Sequence, residues 1–241
     1  LGVALHAPSQ GFPAMTKLTW LSHGSWLIEV GGHRVLLDPF LTENPAATAK
    51  AEDFDEISHV LISHGHFDHV ADAAAIANRC DATIVAIFEI AQWFNGHHGV
   101  KSTIGMNVGG KIELPFGQVK MVPALHSSNL PDGSYGGNPA GFVLEADDQR
   151  VYFACDTAYF SDMKYYAGGV DVAVLPIGDL YTMGIDDAVA AVKLIEPKRV
   201  LPAHYNTWPP ISVDVEEWAR RIRNETNTKP IVLDVGGSLE V

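Results

Sequence analysis

The chain has 241 residues, with 16 Lys or Arg against 29 Asp or Glu, which gives a formal net charge of −13. This acidic balance, without any run of basic residues, argues against a nucleic-acid-binding surface, which needs clustered Lys and Arg. Because 47% of the residues are hydrophobic and 19% are charged, the chain can build a large core, and its length fits one domain. No apolar stretch approaches about 18 residues, so no membrane-spanning helix is predicted.

The beginning of the chain and its cysteines favour a cytoplasmic protein. Residues 1–14 contain no Lys or Arg and no sustained apolar run, so we expect an N-terminal extension rather than a signal peptide. A single domain is then expected over 15–241, starting at Met15. Cys80 and Cys155 lie in apolar contexts, which predicts buried free thiols and a reducing compartment.

The first part of the chain alternates between short β-branched or aromatic runs and glycine-containing turns. Strands are predicted at 17–20, 26–30 and 34–38. A polar loop at 43–55 precedes a buried strand at 59–63. The unit continues with a helix at 72–79 and a strand at 83–86.

The second part of the chain again consists of short strand-like runs followed by helices, although its sequence does not repeat that of the first part. Strands are predicted at 111–114, 119–123, 141–146, 151–155, 172–176, 199–202 and 230–235. Helices are predicted at 186–195 and at 214–224, the latter capped by Asp214. Two sets of strands, each followed by helices, predict an α/β (α+β) fold of four layers, in which two mixed sheets pack face to face with helices outside.

Histidine is unusually frequent, with 11 residues, and the segment 63–69 (SHGHFDH) gathers three of them with a carboxylate after a predicted strand. Imidazole nitrogen and carboxylate oxygen are ligands that Zn²⁺ favours, and a loop lets such side chains converge. In an extended segment His64 and His66 lie on the same face. Asp68 and His69 come from the turn beyond and can reach a second centre. The spacing therefore predicts a metal site.

Further candidate ligands follow other predicted strands. His126, Asp156 and His204 each stand at the exit of an apolar run, where an active-site face would gather them. Each one alone could equally be a core or surface residue. As a set, they are better explained by a shared site.

The order HxHxDH, then His, then Asp, then His resembles the metallo-β-lactamase superfamily, whose αββα sandwich agrees with the predicted element order. Shorter matches extend the resemblance from about residue 17 to the end of the chain. They resemble a largely uncharacterised subfamily of metal-dependent hydrolases, related to L-ascorbate-6-phosphate lactonase and N-acyl-phosphatidylethanolamine phospholipase D. The matching segments are HGS at 23–25, DPF at 38–40, GMNVGG at 105–110, GNPAGF at 137–142, DT at 156–157, DMK at 162–164, PIGD at 176–179, TMG at 182–184 and HYNT at 204–207.

The resemblance implies a dinuclear centre of two divalent ions, Zn or Mn, with Fe or Ni as alternatives. It implies that one ion is held by His64, His66 and His126. The other ion is held by Asp68, His69 and His204, and Asp156 bridges the two ions.

The resemblance also implies hydrolysis of an ester, lactone or phosphodiester bond in a small molecule by a hydroxide that bridges the metals. Asp68 and Asp156 are the candidates to orient that hydroxide. His23 is a candidate to protonate the leaving group or to hydrogen-bond a ligand. Asp38 is expected to support the ligand loop, and a homo-oligomer is expected from the resemblance alone.

Three other functions of proteins with this fold remain as alternatives. Oxygen-reducing di-iron relatives carry HxExD, whereas His66 occupies the middle position here. A nuclease-type phosphodiesterase would add basic exosites or further domains, which this sequence lacks. A non-catalytic metal-binding protein would be expected to have lost ligands, and all seven are present.

Several remaining residues receive a structural interpretation or a role at the substrate mouth. His97 and His98 are expected in a solvated turn, His59 in the core or at its rim, and His33 in a hairpin turn. The segments 182–184 and 208–210 are candidates to shape the mouth of the site. The resemblance is imperfect at three positions that could alter the pocket, namely Cys155, Leu180 and Tyr181.

Overall fold

Two seven-stranded sheets form the centre of the structure, a computed structural model that describes residues 15–241. The extension predicted for 1–14 lies outside the described residues. Strands and helices are numbered along the chain. The first sheet contains β1 (Lys17–Trp20), β2 (Trp26–Val30), β3 (His33–Leu37), β4 (His59–Leu61), β5 (Thr83–Ile87), β6 (Thr103–Met106) and β14 (Ser238–Glu240). The second contains β7 (Lys111–Leu114), β8 (Gly117–Pro123), β9 (Ala140–Ala146), β10 (Gln149–Phe153), β11 (Val172–Pro176), β12 (Arg199–Ala203) and β13 (Lys229–Pro230).

Helices and short 3-10 turns connect the strands. The helices are α1 (Phe67–Val70), α2 (Ala73–Cys80), α3 (Phe88–His98), α4 (Met163–Ala167), α5 (Ile185–Ile195) and α6 (Val215–Glu225). The 3-10 helices are Ala51–Asp53 and Pro209–Ile211. Among residues 15–241, no helix has both the length and the hydropathy needed to cross a membrane.

Each sheet is antiparallel in one half and parallel in the other. In the first sheet, β14, β1, β2 and β3 are antiparallel neighbours, and β3, β4, β5 and β6 are parallel. In the second, β7 to β10 are antiparallel, and β10 to β13 are parallel. The predicted αββα sandwich of two mixed sheets is therefore confirmed, with the same plan in both halves.

The core lies between the sheets and is strongly apolar. Trp26 of the first sheet and Phe153 of the second are almost fully buried, with ring centroids 6.3 Å apart. All five residues of β11 are buried, as expected for a parallel strand covered on both faces. Cys80 and Cys155 are both free thiols, and each is half-buried rather than fully buried.

The helix α3 was missed from the sequence, where His97 and His98 were expected in a solvated turn. Both are exposed, but they form the last turn of this helix. The residue before the helix is Ile87, which provides no capping side chain, and Gly96 lowers the helix propensity. Burial of Ile90, Ala91, Trp93 and Phe94 on one face of α3 outweighs these local signals.

The strand predicted at 230–235 is wrong in most of its length. Only Lys229–Pro230 pairs with β12, and the chain then leaves the second sheet. It turns at Gly236 and Gly237 and returns as β14 beside β1 of the first sheet. The apolar run at 231–235 therefore crosses between the sheets, a role that its composition does not distinguish from a strand.

The cap of α6 provides a test of local stability. Asp214 Oδ1 accepts hydrogen bonds from the backbone N–H groups of Glu216 and Glu217, at 3.0 and 3.1 Å, which confirms the predicted cap. We expect Asp214→Ala to lower the free energy of unfolding by about 1 kcal/mol in urea titrations, because both donors lose their acceptor. Asp214→Asn keeps an acceptor oxygen and is the control. Equal losses in the two variants would contradict this account.

Candidate metal centre

Neighbouring strand ends deliver the predicted site residues to one place. β3 is followed by Asp38, β4 by the segment 63–69, β10 by Asp156 and β12 by His204. β3 and β4 are parallel neighbours, and β10 and β12 both run parallel to β11. Because the carboxyl ends of parallel strands lie at the same edge of a sheet, these residues gather at one edge of the sandwich.

Three imidazoles form a first group, the same three that the resemblance assigns to one ion. His64 Nε2 lies 3.0 Å from His66 Nδ1, which lies 3.3 Å from His126 Nε2. Nitrogen ligands about 2.0–2.1 Å from a tetrahedral Zn²⁺ are separated by roughly 3.3–3.4 Å. The spacing of the three nitrogens therefore fits a shared divalent cation.

A second group contains a carboxylate and two imidazoles. Asp68 Oδ2 lies 3.7 Å from His69 Nε2 and 3.9 Å from His204 Nε2. His23 joins this buried group through its contact with Asp68. The group provides the mixed oxygen and nitrogen ligands that a second divalent cation accepts.

Asp156 connects the two groups. Its Oδ2 lies 3.0 Å from His204 Nε2 and 3.4 Å from His69 Nε2 on one side. On the other side it lies 3.7 Å from His126 Nε2 and 3.9 Å from His64 Nε2. One carboxylate oxygen thus faces both groups, the position that a bridging ligand needs.

Hydrogen bonds behind the cluster fix the orientation of two imidazoles. Asp38 Oδ2 lies 2.9 Å from His69 Nδ1 and accepts a hydrogen bond of 2.5 Å from Ser63 Oγ. The same Ser63 Oγ lies 2.9 Å from His64 Nδ1. With each Nδ1 engaged, Nε2 is the nitrogen directed into the site. Asp38 therefore occupies the supporting position expected from the sequence.

Three buried polar atoms of the cluster lack hydrogen-bond partners among the described residues. They are His69 Nε2, Asp156 Oδ1 and His204 Nδ1. An unpaired buried polar group destabilises a fold by about 1–3 kcal/mol, so atoms of this kind are rare away from functional sites. All three belong to residues predicted to bind metal, and the donor set fits a cation there.

The electrostatics of the cluster also favour a cation. Burial alone would lower the pKa of His69, but Asp156, Asp68 and Asp38 raise that pKa well above its usual value. Burial opposes ionisation of Asp156, yet His204 and His69 hold its pKa well below the usual range. The buried carboxylate of Asp156 therefore stays ionised and attracts positive charge.

The first group has the protonation state that a metal ligand needs. Burial, with a further contribution from His69, lowers the pKa of His64 well below its usual value. Burial also lowers the pKa values of His66 and His126. All three imidazoles are therefore neutral near pH 7, and each has a lone pair for a cation.

His23 lies behind Asp68 rather than on the surface of the site. Its Nε2 is 3.0 Å from Asp68 Oδ2, its Nδ1 is 2.8 Å from Thr207 Oγ1, and its side chain is fully buried. Burial and the adjacent His204 lower the pKa of His23 to about 4. This geometry favours a role through Asp68 over direct protonation of a leaving group. Thr207, the last residue of the HYNT segment, is a functional residue that the sequence pattern did not indicate.

A cleft of about 760 Å³ opens onto the cluster. Trp208 and Pro210 line it, in agreement with the expectation that 208–210 shape the mouth. Tyr181 lines it as well, whereas the neighbouring segment 182–184 does not. Phe67, inside the segment 63–69, also lines the cleft, which its position between two predicted ligands did not indicate.

The support of His69 by Asp38 predicts a change in metal affinity. We expect Asp38→Asn to weaken Zn²⁺ binding about 10–100-fold in competition with a chromophoric chelator, because His69 loses its charged acceptor. Asp72→Asn is the matched control, since Asp72 is also buried but accepts its hydrogen bonds from Leu41 and Thr42. Similar weakening in both variants would show a general disturbance instead.

The chain is similar to known metal-dependent hydrolases over most of its length. Residues 33–205 match the model of the beta-lactamase superfamily domain. A UPF0173 metal-dependent hydrolase of Pyrococcus horikoshii is 42% identical over 231 residues, covering 94% of this chain and 100% of the relative. A Thermus thermophilus member is 44% identical over 212 residues, covering 88% and 93%. Igni18, a metallo hydrolase of Ignicoccus hospitalis, has 34% identity and a TM-score of 0.85, covering 95% of this chain and 99% of its own.

The family assignment rests on matches that span nearly the whole chain. Sequence relatives and the solved structure agree on the same class of protein. The fold matches the metallo-β-lactamase sandwich, and a buried His/Asp cluster able to bind metal lies at its edge. The chain therefore belongs to the metallo-β-lactamase superfamily and is a metal-dependent hydrolase.

Proposed function

We propose that this hydrolase uses two divalent ions, Zn or Mn, to cleave an ester, lactone or phosphodiester bond. The observation that carries the proposal is the position of Asp156 Oδ2, within 3.9 Å of imidazole nitrogens from both groups. When bound, two such ions supply a nucleophilic hydroxide from water near neutral pH and polarise the scissile oxygen.

The proposed ligands follow the two groups. His64, His66 and His126 hold one ion, and their nitrogen separations of 3.0 and 3.3 Å support this assignment. The other ion is held by Asp68, His69 and His204, and Asp156 is shared.

The chain's own residues orient the reactants. The carboxylates of Asp68 and Asp156 both line the cleft, where either can accept a hydrogen bond from the attacking water. His23 holds Asp68 in place through the 3.0 Å contact with Oδ2. The water oxygen adds to the acyl carbon or phosphorus, the bond to the leaving oxygen breaks, and that oxygen takes up a proton.

We extend the proposal to a small-molecule substrate and a cytoplasmic location. The cleft of about 760 Å³ is within the range of sites that enclose one small molecule. The free thiols of Cys80 and Cys155 support a reducing compartment.

A hydrolysis screen tests the proposal directly. Protein loaded with Zn²⁺ or Mn²⁺ is assayed on esters, lactones and phosphodiesters, and its metal content is measured. We expect activity that a chelator removes and either metal restores. Asp156→Ala should lower both activity, by about 10³-fold or more, and metal content, because both ions lose a ligand. His97→Ala, which alters an exposed imidazole at the end of α3, is the control.

Asp68→Ala separates the hydrolase from a non-catalytic metal-binding protein. This variant removes a carboxylate of the second group alone, so we expect about one metal equivalent to be lost together with most of the activity. Metal analysis and initial rates on the best substrate of the screen provide the two measurements. Full activity in a variant that has lost its second metal would refute the proposed mechanism.

A further inference from the structure

Aromatic side chains line the cleft immediately beside the proposed ligands. Phe67 stands between His66 and Asp68 in the sequence, and Trp208 follows four residues after His204. Both line the cleft, and their ring centroids are 6.1 Å apart. Phe67 and Trp208 together form an aromatic wall.

The aromatic wall is held in place from behind. Phe40 is fully buried, and its ring centroid lies 5.6 Å from that of Phe67 and 5.8 Å from that of Trp208. Phe67 nevertheless remains 50% exposed. A ring that is already fixed loses little conformational freedom when a ligand packs on it, so this wall is suited to bind apolar groups.

The loop at 179–183 presents a further aromatic side chain to the cleft. Tyr181 lines the cleft and is 57% exposed, and the adjacent Leu180 is 64% exposed. Asp179 and Leu180 have positive φ angles of 62° and 53°, in the left-handed region that L-residues rarely adopt. Met183 is buried and anchors the loop through a 3.0 Å backbone hydrogen bond to Thr157. Backbone strain of this kind concentrates at functional sites.

The charges around the cleft do not favour an anionic substrate. None of the described residues that line it is Lys or Arg, and its acidic members are Asp68 and Asp156. The chain as a whole carries a formal net charge of −13. Sites that select phosphate groups usually provide Arg or Lys for the oxygens that the metals do not bind. A charged group bound beyond the metals would lack such a partner here.

We infer, on the basis of the proposed hydrolysis, that the cleft selects an uncharged ester or lactone whose apolar alkyl or aryl group packs against the aromatic wall and Tyr181. Two observations carry this inference. Apolar side chains are exposed on a strained but anchored loop and on a wall fixed by Phe40. The lining of the same cleft provides no basic side chain among residues 15–241.

Matched substrates test the inference with the metal-loaded protein. We expect kcat/KM for p-nitrophenyl hexanoate to exceed that for p-nitrophenyl acetate by about tenfold, because the longer chain buries additional methylene groups. It should likewise exceed that for bis(p-nitrophenyl) phosphate, which is anionic. A preference for the phosphodiester would overturn the inference and leave the proposed hydrolysis intact.

Variants assign the preference to the named side chains. Tyr181→Ala and Trp208→Ala should each lower the hexanoate-to-acetate ratio of kcat/KM about fivefold or more, and Tyr181→Phe should retain the preference. Tyr165→Ala is the matched control, because Tyr165 is 82% exposed on α4 and is not a lining residue. An unchanged ratio in both alanine variants would overturn the inference.

A binding measurement separates the inference from the proposed function. The uncharged probe N-phenyl-1-naphthylamine is titrated into the metal-loaded protein, and its Kd is expected to rise about fivefold in Tyr181→Ala. If no ester, lactone or phosphodiester is hydrolysed, the proposed function fails, and the titration decides the inference alone. Equal affinity of the wild type and Tyr181→Ala would then refute apolar selection at this cleft.

Discussion

A single buried carboxylate organises the site. Asp156 has one oxygen facing four imidazoles and another without a hydrogen-bond partner among the described residues, and its side chain is 4% exposed. Such a group is stable inside a protein only when positive charge compensates it. Three features meet this requirement: His64 is neutral, His69 Nδ1 donates a hydrogen bond to Asp38, and His23 contacts Asp68.

The backbone at the strand ends is adapted to this arrangement. Non-glycine residues with left-handed φ angles concentrate where strands meet the site, although L-residues avoid this region. These residues are Ser22, His23, Asp38, Cys155, Asp179, Leu180, His204 and Asn206. The extensive buried core holds them, so the sandwich provides the stability that allows a strained edge.

The sequence allowed the fold and the candidate ligands to be predicted, but not all of the surroundings. His64, His66, Asp68 and His69 form a local motif at the end of a strand, so their spacing alone indicates a metal site. The contact of Thr207 with His23 joins residues that are 184 positions apart, and no local pattern encodes it. The exposure of Tyr181 depends on the anchored loop at 179–183, and no local pattern encodes it either. Helix α3 was missed because tertiary burial, rather than capping, stabilises it.

The division of the proposed ligands between the two sheets has a consequence for folding. Each group combines side chains that follow β4 of the first sheet with one that follows a strand of the second, His126 after β8 or His204 after β12. A cation in either position would therefore act as a cross-link between the halves of the sandwich. Because such a cation binds the folded state alone, the stability of the join between the sheets would depend on metal concentration.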